Sequence, residues 1–427
     1  MHLSSRLRPP LRLFAGIALL GLGVPAGLVS QAGAAHAQAP VYLTVNTTAD
    51  NLVGDCTPSG SPCSLREAVQ YFIEHSGDTV NVYIPSGTYH LTSALNVSGY
   101  ANGTLNLNGA SESRVVIDAQ GTSRAFVISG SISVTMRNLT IENGYVSANN
   151  GGGIQQNGAA LSLTSVTVTG SVAYNGNGGG MFLAPANTDT LTAVTVDGNG
   201  ATNGGGIYVA SGTVDMAGGT VENNIACTAV VGGNNIGCIP NGAASKGGGI
   251  QNGAKLNITS ATIKDNWAGL PGYGNGYGAG IENEGTLTVD KSTISGNDAF
   301  DGTSSGHGGG VENNGSAVSA SISDSTIESN FAGQSGGGIY SAAPLTTFND
   351  RILNNQAGGC PSGIACSFSG CATITDICLT TDVPATVANG YGGGIDMATG
   401  SATERASYIS GNVAVDSNAS LAGTYCG

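Results

Sequence analysis

Apolar and polar residues alternate in short runs through most of the chain, and the runs come in threes. The unit beginning at Gly278 reads GAGIENEGTLTVDKSTISGND, with relatives at Gly247 (GGGIQNGAKLNITSATIKDN) and Gly308 (GGGVENNGSAVSASISDSTIESN). Further copies start at Gly151, Gly178, Gly204, Gly336 and Gly392. Within each unit the apolar positions recur with period two, so each run predicts a strand with one buried face. Three such strands recurring about every 25 to 30 residues predict a coil that returns to its start. Such coils stack because one of them cannot bury its own apolar face. A propeller needs four strands per blade, and the Gly load excludes a helical solenoid. The pattern therefore predicts an all-β fold, a single-stranded right-handed parallel β-helix. Its handedness rests on the general preference of parallel crossovers. Thr79 to Leu91 and Thr104 to Phe126 alternate without the Gly triplet. Counting them as about three irregular coils before eight regular ones gives about eleven, stacked ~4.8 Å apart.

Two further columns fit this reading. Asn199, Asn224, Asn266, Asn297, Asn330, Asn355 and Asn412 each follow the third strand of a unit. Stacked from coil to coil, their amides can bond one another and the corner backbone as an internal ladder. The Gly triplets answer the opposite need, positive φ and close approach of neighbouring coils. They do not form a phosphate loop, since no Gly-Lys-Ser/Thr follows and the next element is a strand. The open end of such a helix needs a cover. Ser64 and Glu67 have capping-box spacing, and Leu65, Ala68, Val69, Phe72 and Ile73 share one helical face. A capping helix is expected from about Leu65 to His75.

The start of the chain departs from the pattern. Arg6, Arg8 and Arg12 precede an apolar run from Leu13 to Val29, and Ala35-His36-Ala37 gives a small-x-small site. Residues 1–37 read as an export signal, 38–78 as an N-terminal capping segment and 79–427 as the β-helix. Without the signal, 13 basic residues become 10 against 27 acidic ones, a net charge of −17. That balance leaves no basic face for nucleic acid, and no second apolar stretch is long enough to span a bilayer. The expected setting is the secreted or cell-surface compartment. Nine Cys in an exported chain imply disulfides. Cys56 with Cys63 and Cys227 with Cys238 flank short loops. Two more bridges are expected among Cys360, Cys366, Cys371 and Cys378, with Cys426 left over.

The string Cys63-Ser64-Leu65-Arg66-Glu67-Ala68 resembles exported bacterial proteins that carry a CSLREA-type motif ahead of a right-handed parallel β-helix. Asp78-Thr79 and Ile84-Pro85-Ser86-Gly87-Thr88-Tyr89 resemble the first coil of that group. The Gly triplets and Asn columns resemble, more loosely, the repeats of chlamydial polymorphic outer-membrane proteins. The resemblance implies a pectin-lyase-like fold on the cell surface or in the medium, and it implies no reaction.

Candidate chemistry is sparse. Asn187-Thr188-Asp189 and His307-Gly308 resemble parts of polygalacturonase sites, but they lie far apart with no Asp-Asp between them. Glu282, Glu312 and Asp396 each follow the Ile or Val of a Gly-rich unit, placing them on one outward-facing column. Glu282 and Glu312 belong to successive units, so they should stand ~5 Å apart. Such a pair suits acid/base work, or calcium with nearby carbonyls; no other cofactor is called for. Gln155, Phe182, Tyr208, Gln251 and Tyr340 fill the same column elsewhere, which favours solvated carboxylates splayed apart. Insertions at 226–246 and 358–391, and a smaller one from Ala268 to Tyr277, fall at one phase of the coil. Insertions at one phase project from one face, often the binding face. Tyr273, Tyr277, Phe300, Phe368 and Tyr391 gather there. The expected ligand site is a loop-lined shelf of Tyr273, Tyr277 and Tyr391 with Glu282, Glu312 and Asp396 at its edge. The expected function is adhesin-like binding of a polysaccharide or cell-surface glycan, leaning towards a non-catalytic role. The alternative is a polysaccharide lyase or hydrolase, which would need acids from neighbouring coils to converge with an Arg or Lys.

Overall fold

The computed structural model describes residues 39–427 except 53–55, 58–61, 100–101, 228, 233–234, 239–243, 270–274, 301–305, 359–371, 376–391, 399–400 and 417–427. The side chains of 229–232, 235–238, 372–375, 413 and 415–416 also lie outside the description. The strands form three long sheets of nineteen, ten and twelve members, and successive coils pair in parallel along each of them. This is the parallel β-helix that the three-run repeat predicts. Its core is built by register. Val82, Leu107, Met136, Leu163, Leu191, Met216, Ile258, Val289 and Ile322 stand opposite one another from coil to coil. All of them are buried in one continuous apolar cluster. Each such side chain is worth roughly 1.5–3 kcal/mol relative to exposure, and none could be buried without the coil above and below it.

The coil count is smaller than the eleven expected. The ten-stranded sheet takes one strand per coil, from Leu95–Gly99 to Ile395–Met397, so nine turns separate its first strand from its last. The excess came from counting about three irregular coils before the first Gly triplet, where the ten-stranded sheet has two strands, Leu95–Gly99 and Phe126–Gly130. Val41–Thr44 and Thr79–Ile84 add rungs to the nineteen-stranded sheet, where they pair with each other and with Thr104–Gly109. Val41–Thr44 has no counterpart in the ten-stranded sheet, whereas Thr79–Ile84 shares its coil with Leu95–Gly99.

The cap forms as its sequence requires. The helix spans Leu65–Glu74, with Ser64 accepting from the Glu67 N–H and Glu67 accepting from the Ser64 N–H. Leu65, Ala68, Val69 and Phe72 are buried against the first coils. Arg66 forks onto Asp50 at 2.8 and 2.9 Å and donates to the carbonyls of Ser93 and Ala94, tying the helix to the first strand of the ten-stranded sheet. Cys56 and Cys63 are joined in a disulfide, and Cys227 is disulfide-bonded as well; the Cys238 side chain lies outside the description. Cys360, Cys366, Cys371, Cys378 and Cys426 also fall outside the described residues. Closing so short a loop is worth about 2 kcal/mol. Replacing Cys56 and Cys63 by Ser should therefore speed amide exchange in the helix before it affects the coils. Equal protection of the helix in both forms would show that Arg66 and the apolar face hold the cap unaided.

The Gly triplet and the Asn ladder are two sides of one corner. Gly308 has φ +61°, in the left-handed region. A Cβ on Gly309 would overlap the Phe331 carbonyl oxygen of the next coil, and one on Gly310 would press on Asn330. Asn330 belongs to the ladder, in which Asn199, Asn224, Asn266, Asn297, Asn330, Asn355 and Asn412 are all buried. Each Nδ2 donates to the Oδ1 of the next at 2.9–3.0 Å. A second ladder, from Asn252 through Asn283 and Asn313 to Ser341, runs beside the ten-stranded sheet.

Candidate functional site

The ten-stranded sheet brings Gln155, Phe182, Tyr208, Gln251, Glu282, Glu312, Tyr340 and Asp396 into one register column. Strand alternation turns Ile281 and Asn283 into the coil and Glu282 to the opposite face. A second line runs beside it. Lys246 pairs with Tyr277, Tyr277 bridges to His307, and His307 bridges to Ser335. These are the residues immediately before successive Gly-rich triplets, so the two lines lie on either side of the triplet column.

The acids are not solvated. Glu282, Glu312 and Asp396 are 0%, 4% and 7% exposed, which corrects the expectation of splayed carboxylates. They do face away from the core, but their neighbours cover them. Asn314 Nδ2 donates to Glu282 Oε1 at 3.1 Å. Lys246 Nζ lies 3.6 Å from the same oxygen and in closer contact with Glu284 Oε1. Gln251 Nε2 donates to Glu284 Oε2 at 3.3 Å. The His307 ring stacks on Tyr340 at 4.3 Å and meets Tyr277 edge-on at 5.6 Å, and its Nε2 is 2.8 Å from Gln334 Oε1. Phe182 and Tyr208 stack at 5.5 Å farther along the column.

Burial dominates the electrostatics. It pushes the Glu282 carboxyl well above its ordinary range, with Lys246 pulling the other way. Burial and then the charge of Glu282 push Glu312 up. Asp396 is raised to about 6 by burial, against the pull of its hydrogen bond to Ser335. Burial works against the Lys246 ammonium, but the Glu284 hydrogen bond and the charges of Glu282, Glu284 and Glu312 outweigh it and raise its pKa. Two carboxyls in register in such a setting suit one proton between them and a neighbouring cation. Among the described residues no group of three or more His, Cys, Asp and Glu side chains is placed to hold a metal ion. Among the described residues, Lys246 is the lysine that meets these acids.

Of the six residues expected at the shelf, Glu282, Glu312, Asp396 and Tyr277 lie on these two lines. Tyr273 and Tyr391, like Phe368, are outside the described residues. Phe300 is elsewhere: it is buried between Trp267 and Phe331 on the twelve-stranded sheet. Tyr340 was read into the column, but Lys246, Glu284 and His307 were missed as its neighbours because they lie far apart in sequence. The signal for Lys246 and His307 was the position just before a triplet, and for Glu284 its place two residues beyond Glu282 in the same unit. Asp189, the acid of the polygalacturonase-like string, stands in the core column between Leu161 and Val214 and takes no part in the site.

No family model matches the chain, and no curated protein matches it in sequence. Solved structures similar to it include two epimerase modules and a glucanase domain. The A-module of the mannuronan C-5 epimerase AlgE6 of Azotobacter vinelandii is 13% identical over 82% of this chain and 94% of its own, with a TM-score of 0.29. The AlgE4 A-module of the same organism is 14% identical over 67% and 89%, with a TM-score of 0.30. The catalytic domain of a GH87 alpha-1,3-glucanase in complex with nigerose is 13% identical over 86% and 65%, with a TM-score of 0.31.

Proposed function

We propose that the chain is an exported, surface or secreted β-helix that binds a linear polysaccharide along the outer face of its ten-stranded sheet. The observation that carries this is the pair of side-chain lines, Lys246–Tyr277–His307–Ser335 and Gln251–Glu282–Glu312–Tyr340–Asp396, in matching register. A polymer laid along the axis meets a new pair of groups at each ~4.8 Å rung. Tyr277, His307 and Tyr340 are half-buried, offering ring surface to sugar faces, while Glu284 and Lys246 reach the surface for hydroxyl contacts. Tyr277→Ala and Tyr340→Ala should each weaken glycan binding about tenfold, the equivalent of ~1.4 kcal/mol, with melting temperature nearly unchanged. Calorimetric titration against a glycan panel, with a melting curve for each variant, tests this. Wild-type affinity in both variants would remove the site.

A second reading has its own support. Acids from neighbouring coils converge on a lysine, the arrangement that a polysaccharide lyase or hydrolase on this fold would need. Appearance of unsaturated products or new reducing ends on incubation with the bound glycan would favour it over pure binding.

A further inference from the structure

Gln251, Glu282 and Glu312 stand opposite one another on three successive rungs, and each is more than nine-tenths buried. Gln251 Oε1, Glu282 Oε2 and Glu312 Oε2 are all buried without a hydrogen-bond donor. A buried acceptor left unmet costs about 1–3 kcal/mol, so three in line form an acceptor strip with unspent capacity. A proton shared between the two carboxyls can join Glu282 Oε2 to Glu312 Oε2 but still leaves Gln251 Oε1 unmet. Gln251 cannot turn its amide without losing the bond from its Nε2 to Glu284. The group that answers acceptors with donors alone is an ammonium, which carries three N–H bonds and no acceptor. The protein already places one there: the Lys246 ammonium touches Glu284 and lies 3.6 Å from Glu282. It is a single cation against Glu282, Glu284 and Glu312, so the strip remains acidic. A polymer carrying carboxylates would meet repulsion both there and from a chain with a net charge of −14.

We infer that the glycan held on this strip carries free amino groups, an amino-sugar polymer rather than its N-acetylated or uronic counterpart. The inference rests on the polysaccharide-binding reading and specifies its ligand. The test is calorimetric titration of the full chain with matched oligosaccharides of glucosamine, N-acetylglucosamine and galacturonate. Glucosamine oligomers should bind at least tenfold more tightly than the other two, with an affinity that falls as salt is added. Glu284→Gln should cancel most of that preference, bringing the affinity for glucosamine oligomers close to that for N-acetylglucosamine oligomers. Lys246→Met, which removes the competing ammonium, should raise the affinity for glucosamine oligomers several-fold. Equal or tighter binding of the N-acetylated or uronic oligomer overturns this inference and leaves the binding reading standing. Binding of none of the three overturns the reading beneath it. Circular dichroism of each variant separates loss of preference from loss of fold, and a folded Glu284→Gln protein that keeps the full preference also overturns the inference.

Discussion

Replacing Asn297 by Ala should cost about 3–5 kcal/mol, among the largest losses any single polar substitution in this chain can produce. Its Nδ2 donates to the Ile263 and Ser295 carbonyls and to Asn330 Oδ1. Its Oδ1 accepts from both the N–H and the Nδ2 of Asn266. Truncation strands these partners in the interior, and an unmet buried donor or acceptor costs about 1–3 kcal/mol. Asn257→Ala is the control. That amide lies on the outer face of the nineteen-stranded sheet, bonded to Asp215, and its loss should stay within about 1 kcal/mol. Urea unfolding midpoints compare the two. Equal midpoints would show that the ladder is a passenger of the coil and not a source of its stability.

The second large effect runs with pH. Asp189 is fully buried in the core column between Leu161 and Val214. Its Oδ1 accepts from the Leu161 N–H at 2.7 Å, while its Oδ2 has no donor. Burial raises its pKa to about 7, against the pull of that one hydrogen bond. The folded state therefore holds a proton that the unfolded chain releases near pH 4. The stability this group contributes is fully present below about pH 4 and is lost as pH rises to about 7, flattening above. Between those limits the loss attributable to this one carboxyl is on the order of 4 kcal/mol. Asp189→Asn keeps the acceptor for Leu161 and cannot ionise, so its stability at pH 8 should exceed that of the native chain. Chemical denaturation at pH 4 and pH 8 checks the sign. A native curve steeper towards acid, or a variant weaker at pH 8, would mean that the site is solvated or the carboxyl paired.

The fold was legible because the physics that builds it is local and repeated. Period-two alternation, a Gly triplet at each corner and one Asn per coil are short-range signals, and the capping box at Ser64 and Glu67 is shorter still. The coil count failed where that local signal is missing: before the first Gly triplet nothing marks where one coil ends and the next begins, and about three were counted where two stand. At the site, register was readable and burial was not. The column through Gln251, Glu282, Glu312 and Tyr340 followed from counting residues after each triplet. That its acids are covered depends on Lys246 and Asn314, which meet Glu282 from 36 and 32 residues away. The burial of Asp189 was hidden for the same reason. A carboxylate at an inward position contradicts the alternation rule, so discounting its string as a catalytic match still does not show that it lies in the core.

The ladder has a bearing on how this molecule can change. Its successive members are 25, 42, 31, 33, 25 and 57 residues apart in the chain, yet the amide of each reaches the Oδ1 of the one in the next coil. Spacing along the axis is thus decoupled from spacing along the sequence. Segments of any length can be spliced in between the Asn corner and the next triplet without altering which strands meet. The frame behaves as a fixed rack, and the material hung beside the two side-chain lines is free to be exchanged. Variation confined to that phase could retarget the surface to a new polymer while every buried contact stays as it is.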